Sequence, residues 1–288
     1  MALISKILFP VDFSPASTAM AEYVHRAAAM MRAQVALIHV ANLASHNALD
    51  LYARSLQEIW EEHQALMRQQ LDTFLTAQFP PAECPRLLTA GDPAEEIVKA
   101  ARKGSFDLII MPTHSGVFRQ MLLGSTTAKV LDSADCPVLT SKHAENTTPR
   151  PFDHREWLCA VGLSGNSEKV LRYAAQAASE AGAHLSILHA VQSEDPRLPI
   201  SLNLEEAVQS AEMHEAVKRI HDLQQAAGTN FPARIAIGPV KRALLQAASQ
   251  SDADALIIGR SSHAGSYGRL RDLTYAVIRD SPFPVLSV

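Results

Sequence analysis

The 288-residue chain repeats itself, and this internal repeat restricts its fold more than any other feature. In the first part of each half, matching residues lie 150 positions apart, and further along they lie 147 apart. The first offset pairs Val11/Val161, Ser14/Ser164, Ser17/Ser167, Tyr23/Tyr173, Ala33/Ala183 and His39/His189, and the second pairs Gly91/Gly238 and Pro137/Pro284. The chain therefore consists of two homologous halves.

Each half alternates short apolar runs with longer stretches of helical periodicity. The predicted order is strand, helix, strand, long helix, strand, helix, strand, helix, strand. The strands are apolar throughout, which is typical of parallel sheets covered by helices on both faces. We therefore predict two tandem α/β domains of the doubly wound, Rossmann-like class.

The long helix of the first half is predicted over residues 49–79. Its apolar positions recur at steps of three and four residues, which indicates one buried stripe. The residues of that stripe are Leu49, Tyr52, Leu56, Ile59, Leu66 and Phe74.

A polar segment with two prolines, residues 144–151, separates the halves and is typical of a linker. The predicted domains are residues 1–143 and 155–288, with 144–154 as the linker.

Composition argues against several classes of protein. Lys and Arg number 26 against 30 Asp and Glu, so the positive excess typical of non-specific nucleic-acid binding is missing. Cys84, Cys136 and Cys159 show no zinc-site spacing, and the twelve histidines form no HxH or HExxH motif. Neither a signal peptide nor a membrane span is predicted, so we expect a cytoplasmic protein.

The most informative loop follows the fourth predicted strand and ends in Gly124, Ser125, Thr126 and Thr127, which open the last helix. Exposed N–H groups, the helix dipole and three hydroxyls at a helix N-terminus favour an anion site. The alternative is that Ser125 or Thr126 merely caps the helix.

In three segments the chain resembles the universal stress protein family: residues 7–14, the strand ending in His39 and Val40, and residues 111–138. The resemblance covers both halves and implies a five-stranded parallel sheet in each. It also implies that the last strands, around Val138 and Val285, face each other across a pseudo-twofold contact, so that the chain forms an internal pseudo-dimer.

Members of this family that bind ATP share Gly-x2-Gly-x9-Gly-Ser/Thr after the fourth strand. The first half has Pro112-x2-Ser115-x8-Gly124-Ser125, so the first glycine is replaced by a proline and the spacer is one residue short. Proline supplies no N–H and cannot replace a glycine that needs positive φ, although Gly116 lies beside Ser115.

The resemblance implies that Asp12 and Val40 hold adenosine, while Ser115, Gly124, Ser125 and Thr126 lie near the ribose and phosphates. The alternative for Asp12 is a turn residue that caps the next helix. The full predicted nucleotide site comprises Pro10, Val11, Asp12, Val40, Met111, Pro112, His114, Ser115, Gly124, Ser125 and Thr126.

The second half departs further from the ATP-binding pattern. Gly162 stands where the first half has Asp12, and Arg271 and Asp272 replace Gly124 and Ser125. We therefore predict that the nucleotide site is lost there. Its arginines either bind another anion or form a solvated surface; they are Arg260, Arg269 and Arg271.

The sequence thus predicts a stress-response regulatory module that binds ATP or another adenine nucleotide, with Mg²⁺, in its first half. It is not predicted to be an enzyme, because no general base or catalytic lysine is evident near Ser125. The alternative is a universal stress protein that binds no nucleotide and acts as a protein-interaction scaffold. An unidentified protein partner and a further homodimer are compatible with either function.

Overall fold

The computed structural model describes residues 2–41, 56–113, 123–141, 156–163, 165–192, 201–208, 213–260 and 268–288. In the first half, strands and helices alternate in the predicted order. The elements are β1 (Lys6–Pro10), α1 (Pro15–Met31), β2 (Gln34–Ala41), α2 (Leu56–Thr73), β3 (Arg86–Ala90), α3 (Pro93–Lys103), β4 (Leu108–Pro112), α4 (Ser125–Ser133) and β5 (Val138–Ser141).

The second half follows the same order with one insertion, a short strand and a short helix before its long helix. The elements are β6 (Glu156–Ala160), α5 (Ser167–Ala181), β7 (His184–Val191), β8 (Ser201–Asn203), α6 (Leu204–Val208), α7 (His214–Ala227), β9 (Ala233–Ile237), α8 (Val240–Gln250), β10 (Ala255–Ile258), α9 (Gly268–Asp280) and β11 (Val285–Ser287).

The described residues divide into two compact units, which we call the N-terminal and C-terminal units. Residues 4–138 form the first; residues 2–3, 139–141 and the described residues from 156 onward form the second. Thr140 of β5 thus belongs to the C-terminal unit, where its hydroxyl donates to the Val285 carbonyl oxygen at 3.4 Å. The pseudo-twofold pairing of the halves stays a prediction.

Each unit has a doubly wound sheet. In the N-terminal unit the strand order is β3-β2-β1-β4, and β1 pairs in parallel with both β2 and β4. In the C-terminal unit, which includes residues 139–141 of β5, the order is β5-β11-β10-β6-β7-β9-β8, and β6 pairs in parallel with β7 and β10. The strand order reverses at β1, which lies between β2 and β4, and at β6, which lies between β7 and β10. In this fold, ligands usually bind beyond the carboxyl ends of the strands at such a reversal. The predicted α/β class is confirmed.

The expectation of five parallel strands per half is wrong for the second half. Its additional strand, β8, pairs antiparallel with β9, with Leu202 opposite Ile235. The Arg234 guanidinium donates to the Ser201 hydroxyl at 3.0 Å and ties this strand to β9. Three residues cannot show a sequence periodicity, so this strand left no pattern to detect.

The long helix of the first half is shorter than predicted. It ends at Thr73 instead of residue 79, while residues 49–55 lie outside the described part of the chain. Leu66, assigned to the buried stripe, is 58% exposed, whereas Leu71 is fully buried. The predicted stripe was therefore partly on the wrong face.

Arg86 of β3 explains where this helix ends. Its guanidinium donates to the carbonyl oxygens of Leu71, Phe74 and Phe79 at 2.7, 2.8 and 2.7 Å. Those carbonyls lie in or beyond the last helical turn, which leaves such groups without helical partners. Leu75, with φ of 54°, then takes the chain out of the helix axis.

The core of each unit lies around its central strands. Ile7, Leu8 and Phe9 of β1 are fully buried, as are residues 108–110 of β4. In the C-terminal unit, Leu256 and Ile257 of β10 are equally buried. Continuous burial confirms that helices cover both faces of these strands.

Candidate functional site

The loop between β1 and α1 is held by the side chain of Asp12. Its Oδ1 accepts a hydrogen bond from the Ser17 hydroxyl at 2.7 Å and from the Ser14 amide at 3.1 Å. Ser14 caps α1, because its hydroxyl accepts from the Ser17 amide. Asp12 therefore stabilises the turn through these two hydrogen bonds, and Ser14 is the residue that caps α1.

A histidine from the neighbouring strand fixes the residue before Asp12. The Nδ1–H of His39, in β2, donates to the Val11 carbonyl oxygen at 2.8 Å. Phe13, with a left-handed φ of 61°, lies with its ring centroid 4.2 Å from that of His39 and 5.2 Å from that of Phe74. Burial lowers the pKa of His39, although the Val11 bond and the charge of Asp12 act against that shift.

The start of α4 forms the other side of the candidate site. Gly124 is the cap residue and makes no side-chain capping bond, so the interpretation of Ser125 or Thr126 as the cap is wrong. The Gly124 amide donates to the Thr113 carbonyl oxygen at 3.1 Å, and the Thr127 hydroxyl donates to that of Pro112 at 3.2 Å. These two bonds fix the first turn of α4 against the end of β4, with its N–H groups directed out of the helix.

The structure brings most of the predicted residues to one sheet edge. Since β2, β1 and β4 are parallel neighbours, their carboxyl ends lie side by side. Pro10 ends β1 and is followed by Val11 and Asp12, while Val40 lies near the end of β2. Met111 and Pro112 end β4, Gly124 caps α4, and Ser125 and Thr126 begin that helix. His114 and Ser115 lie outside the described residues.

Three residues whose contacts hold the candidate site were not among the predicted site residues: Phe13, His39 and Thr127. For His39 the sequence did carry a signal, since it is one of the residues identical in both halves. Thr127 lies in the predicted anion loop, but its bond to Pro112 depends on how α4 meets β4, which a linear pattern does not show.

The cation nearest to this helix start in sequence is already engaged. Lys129, in the second turn of α4, donates to Asp92 Oδ2 at 2.8 Å. The other oxygen of Asp92 caps α3 by accepting from the amides of Ala94 and Glu95. The Lys129 bond, followed by the capping bond from Glu95, lowers the pKa of Asp92.

The second half repeats the histidine contact without the carboxylate. The Nδ1–H of His189 donates to the Val161 carbonyl oxygen at 2.8 Å, and Leu163 has a φ of 51°. Gly162 takes the position of Asp12, and the Arg219 guanidinium donates to the Leu163 carbonyl oxygen. Burial lowers the pKa of His189, and the charge of Arg219 adds to the effect. The side chains of Arg269, Arg271 and Asp272 lie outside the described part.

Within the ranges that the structure describes, no three His, Cys, Asp or Glu side chains gather as metal ligands. A search of the same residues finds no helix with the length and apolar character needed to cross a membrane.

Comparison with known proteins is consistent across sequence and structure. The model of the Universal stress protein family matches residues 4–142 and again residues 155–288. Universal stress protein MJ0577 of Methanocaldococcus jannaschii is 26% identical over 152 residues, covering 48% of this chain and 94% of that protein. Universal stress protein MJ0531 of the same organism is 30% identical over 146 residues, covering 49% of this chain and 83% of that protein.

A solved structure extends the likeness to nearly the whole chain. The crystal structure of a universal stress protein from Archaeoglobus fulgidus covers 98% of this chain and 95% of its own, with a TM-score of 0.67 and 23% identity. At that identity the likeness shows the shared fold.

Proposed function

Because this chain belongs to the universal stress protein family, we propose that it is a stress-response regulatory module whose first half binds ATP or another adenine nucleotide. The observation that carries the proposal is the start of α4, where the cap residue Gly124 has no side chain to bond the first N–H groups, at the carboxyl edge of the sheet. Unpaired N–H groups and the positive end of the helix dipole attract phosphate.

In this proposal the loop after β1 and the start of α4 hold opposite ends of the nucleotide. Asp12 and Val40 bind the adenosine, while Gly124, Ser125 and Thr126 bind the phosphates with Ser115 near the ribose. The other proposed contacts come from Pro10, Val11, Met111, Pro112 and His114. Mg²⁺ would accompany the phosphates and offset their charge.

We propose binding rather than turnover as the main role. A phosphoryl-transfer site needs a cation on the transferred group and a residue that orients the nucleophile. Lys129 follows Ser125 on the same helix, but its ammonium group is held by Asp92. Any hydrolysis of ATP at this site should therefore be slow.

Pro112 favours a second candidate function, a scaffold that binds no nucleotide. Proline has no N–H to offer a ligand, and the Pro112 carbonyl already accepts the Thr127 hydroxyl. In that case the protein would act through an unidentified protein partner. For either function we propose a cytoplasmic location and an internal pseudo-dimer, with a further homodimer as an additional level of assembly.

The test is calorimetric titration of the full chain with MgATP. We expect one site per chain, because Arg271 and Asp272 replace the phosphate-binding pair in the second half. The variant Ser125→Asp introduces into the first half the aspartate that the second half has at the corresponding position, Asp272. A carboxylate beside the phosphates should weaken binding by about tenfold or more.

Ser133→Asp is the matched control, since it adds the same charge at the exposed far end of α4. Equal affinity of Ser125→Asp and the parent would exclude the assigned phosphate site. The absence of heat at millimolar MgATP would favour the scaffold, and two sites per chain would show that the second half has kept its nucleotide site.

A further inference from the structure

Both halves contain a histidine that extends the sheet by one side-chain hydrogen bond. In the first half, the Val11 amide donates to the Ile38 carbonyl oxygen at 2.9 Å, and the next residue of β2, His39, donates back to the Val11 carbonyl oxygen at 2.8 Å. Val161, Leu188 and His189 repeat this pattern with distances of 2.9 and 2.8 Å. We call the histidine and the valine that it holds the His clamp.

The His clamp lies immediately before a strained turn. Two residues after the clamped valine, Phe13 has φ of 61° and Leu163 has φ of 51°. A left-handed conformation is unfavourable for a bulky residue and persists only where its surroundings hold it. In the first half the His39 ring also lies against the Phe13 ring, so one side chain restrains both sides of residue 12.

The residue between the clamp and the turn differs between the halves. In the first half it is Asp12, whose Oδ1 is already oriented by the Ser17 hydroxyl and the Ser14 amide. In the second half it is Gly162, which has no side chain to orient. The same clamp therefore has a functional group to position in only one of the halves.

We propose that His39 is a positioning residue for nucleotide binding, because its bond to the Val11 carbonyl fixes the backbone from which Asp12 projects. The inference rests on the proposed function and adds to it a residue outside the assigned contact set. His189, which makes the same bond before a glycine, stabilises the second half without serving a ligand.

Substitution at the two histidines separates positioning from stability. Asn carries its amide nitrogen on Cγ, as His carries Nδ1, so His39→Asn keeps a donor in place, whereas His39→Leu removes it and His39→Gln moves it one bond further out. We expect His39→Leu and His39→Gln to bind MgATP about tenfold more weakly than the parent. His39→Asn should restore the affinity to within about threefold.

His189→Leu is the matched control in the same chain, because it removes the same bond from the other half. We expect it to lower the unfolding temperature about as much as His39→Leu does, while it leaves the MgATP affinity within about twofold of the parent. If His39→Leu does not fold, His39→Gln against His39→Asn still decides the question.

Each outcome has a distinct meaning. If the parent binds MgATP and both His39→Leu and His39→Gln bind it equally well, His39 does not position the site. Equal weakening by His39→Asn and His39→Leu would assign the effect to ring packing and also overturn the inference. A parent that binds no MgATP would instead contradict the proposed function itself, and the role of His39 with it.

Discussion

At the end of the first helix, the two halves use different residues for the same left-handed backbone. Arg32 follows α1 with φ of 52° and ψ of 39°, and Gly182 follows α5 with 67° and 26°. In both, backbone N–H groups donate hydrogen bonds to carbonyl oxygens of the last helical turn. Glycine has no Cβ penalty in this conformation, whereas an L-residue other than Asn or Asp pays about 1–2 kcal/mol.

We therefore predict that Arg32→Gly raises the free energy of unfolding by about 1 kcal/mol. Arg32 is exposed, so the substitution removes little packing. The reciprocal variant Gly182→Ala should lower the free energy of unfolding by about 1 kcal/mol through conformational strain alone, since a Cβ there would meet no heavy atom within 4 Å. Urea denaturation measures both. A destabilised Arg32→Gly would show that the guanidinium makes a contribution larger than the strain.

Residues also show why the candidate site was only partly visible in the sequence. Asp12 and Gly124–Thr126 follow predicted strands or precede a predicted helix, so the fold class alone brings them to one edge. The bond from His39 to Val11 joins β2 to the residue that follows β1, and its geometry depends on the register of the two strands. A pattern along one chain does not specify that register. The ligand contacts assigned to these residues stay predictions.

Between elements, one carboxylate links two helices of the second half. Asp280, the last residue of α9, accepts from Lys241 of α8 at 2.7 Å through Oδ2 and from Arg279 at 2.8 Å through Oδ1. Lys241 lies in the first turn of α8, so the pair joins the start of one helix to the end of the other. The bond from Arg279 and that from Lys241 hold the pKa of Asp280 well below its usual range.

This ion pair predicts an acid-dependent loss of stability. The pKa of Asp280 is lower in the folded chain than the value of about 3.9 expected in the unfolded chain, so the unfolded state takes up more protons as the pH falls. The stabilisation is present above about pH 4 and is lost as the pH falls further. Asp280→Asn should be less stable than the parent at pH 7, and the difference should shrink towards pH 2.

Urea denaturation at a series of pH values tests this prediction, because urea is uncharged and does not screen the ion pair. Asp222→Asn, at an exposed position of α7, is the matched control and should show little pH-dependent difference from the parent. If Asp280→Asn and the parent differ in free energy of unfolding by the same amount at every pH, the charge of the carboxylate does not contribute to the contact between α8 and α9.

Helix boundaries were less predictable than helix order. The alternation of strands and helices in the first half follows from hydrophobic periodicity, and the structure confirms it. The end of α2 depends on the side chain of Arg86, which reaches three carbonyl groups from a strand further along the chain. Periodicity within the helix contains no information about such a partner, so the predicted helix ran on to residue 79.

At the scale of the whole molecule, the proposed function makes the two halves unequal despite their common fold. We predict that MgATP slows amide hydrogen exchange around residues 11–13 and 123–128, and leaves residues 161–163 unchanged. Bound ligand protects only the amides that it contacts or orders. Hydrogen-exchange mass spectrometry with and without MgATP measures both sets in one sample. Equal protection of residues 161–163 would contradict the loss of the second site.

The tandem architecture was the most predictable property of all. Identical residues at offsets of 150 and 147 follow directly from the sequence, and the family model confirms the two halves by matching each of them. The insertion of β8 and α6 was not predictable, because it falls in a segment where the halves share no pattern. The domain bounds of 1–143 and 155–288 stay predictions.

The membership of residues 139–141 in the C-terminal unit has a consequence for biosynthesis. Thr140 leaves the ribosome 145 residues before Val285, whose carbonyl oxygen accepts its hydroxyl bond. At about 5–20 residues per second, that delay is on the order of 10 s. During this interval the acceptor of the Thr140 hydroxyl has not yet been translated. The Thr140 bond therefore forms only after the C-terminal strand of the chain has been synthesised.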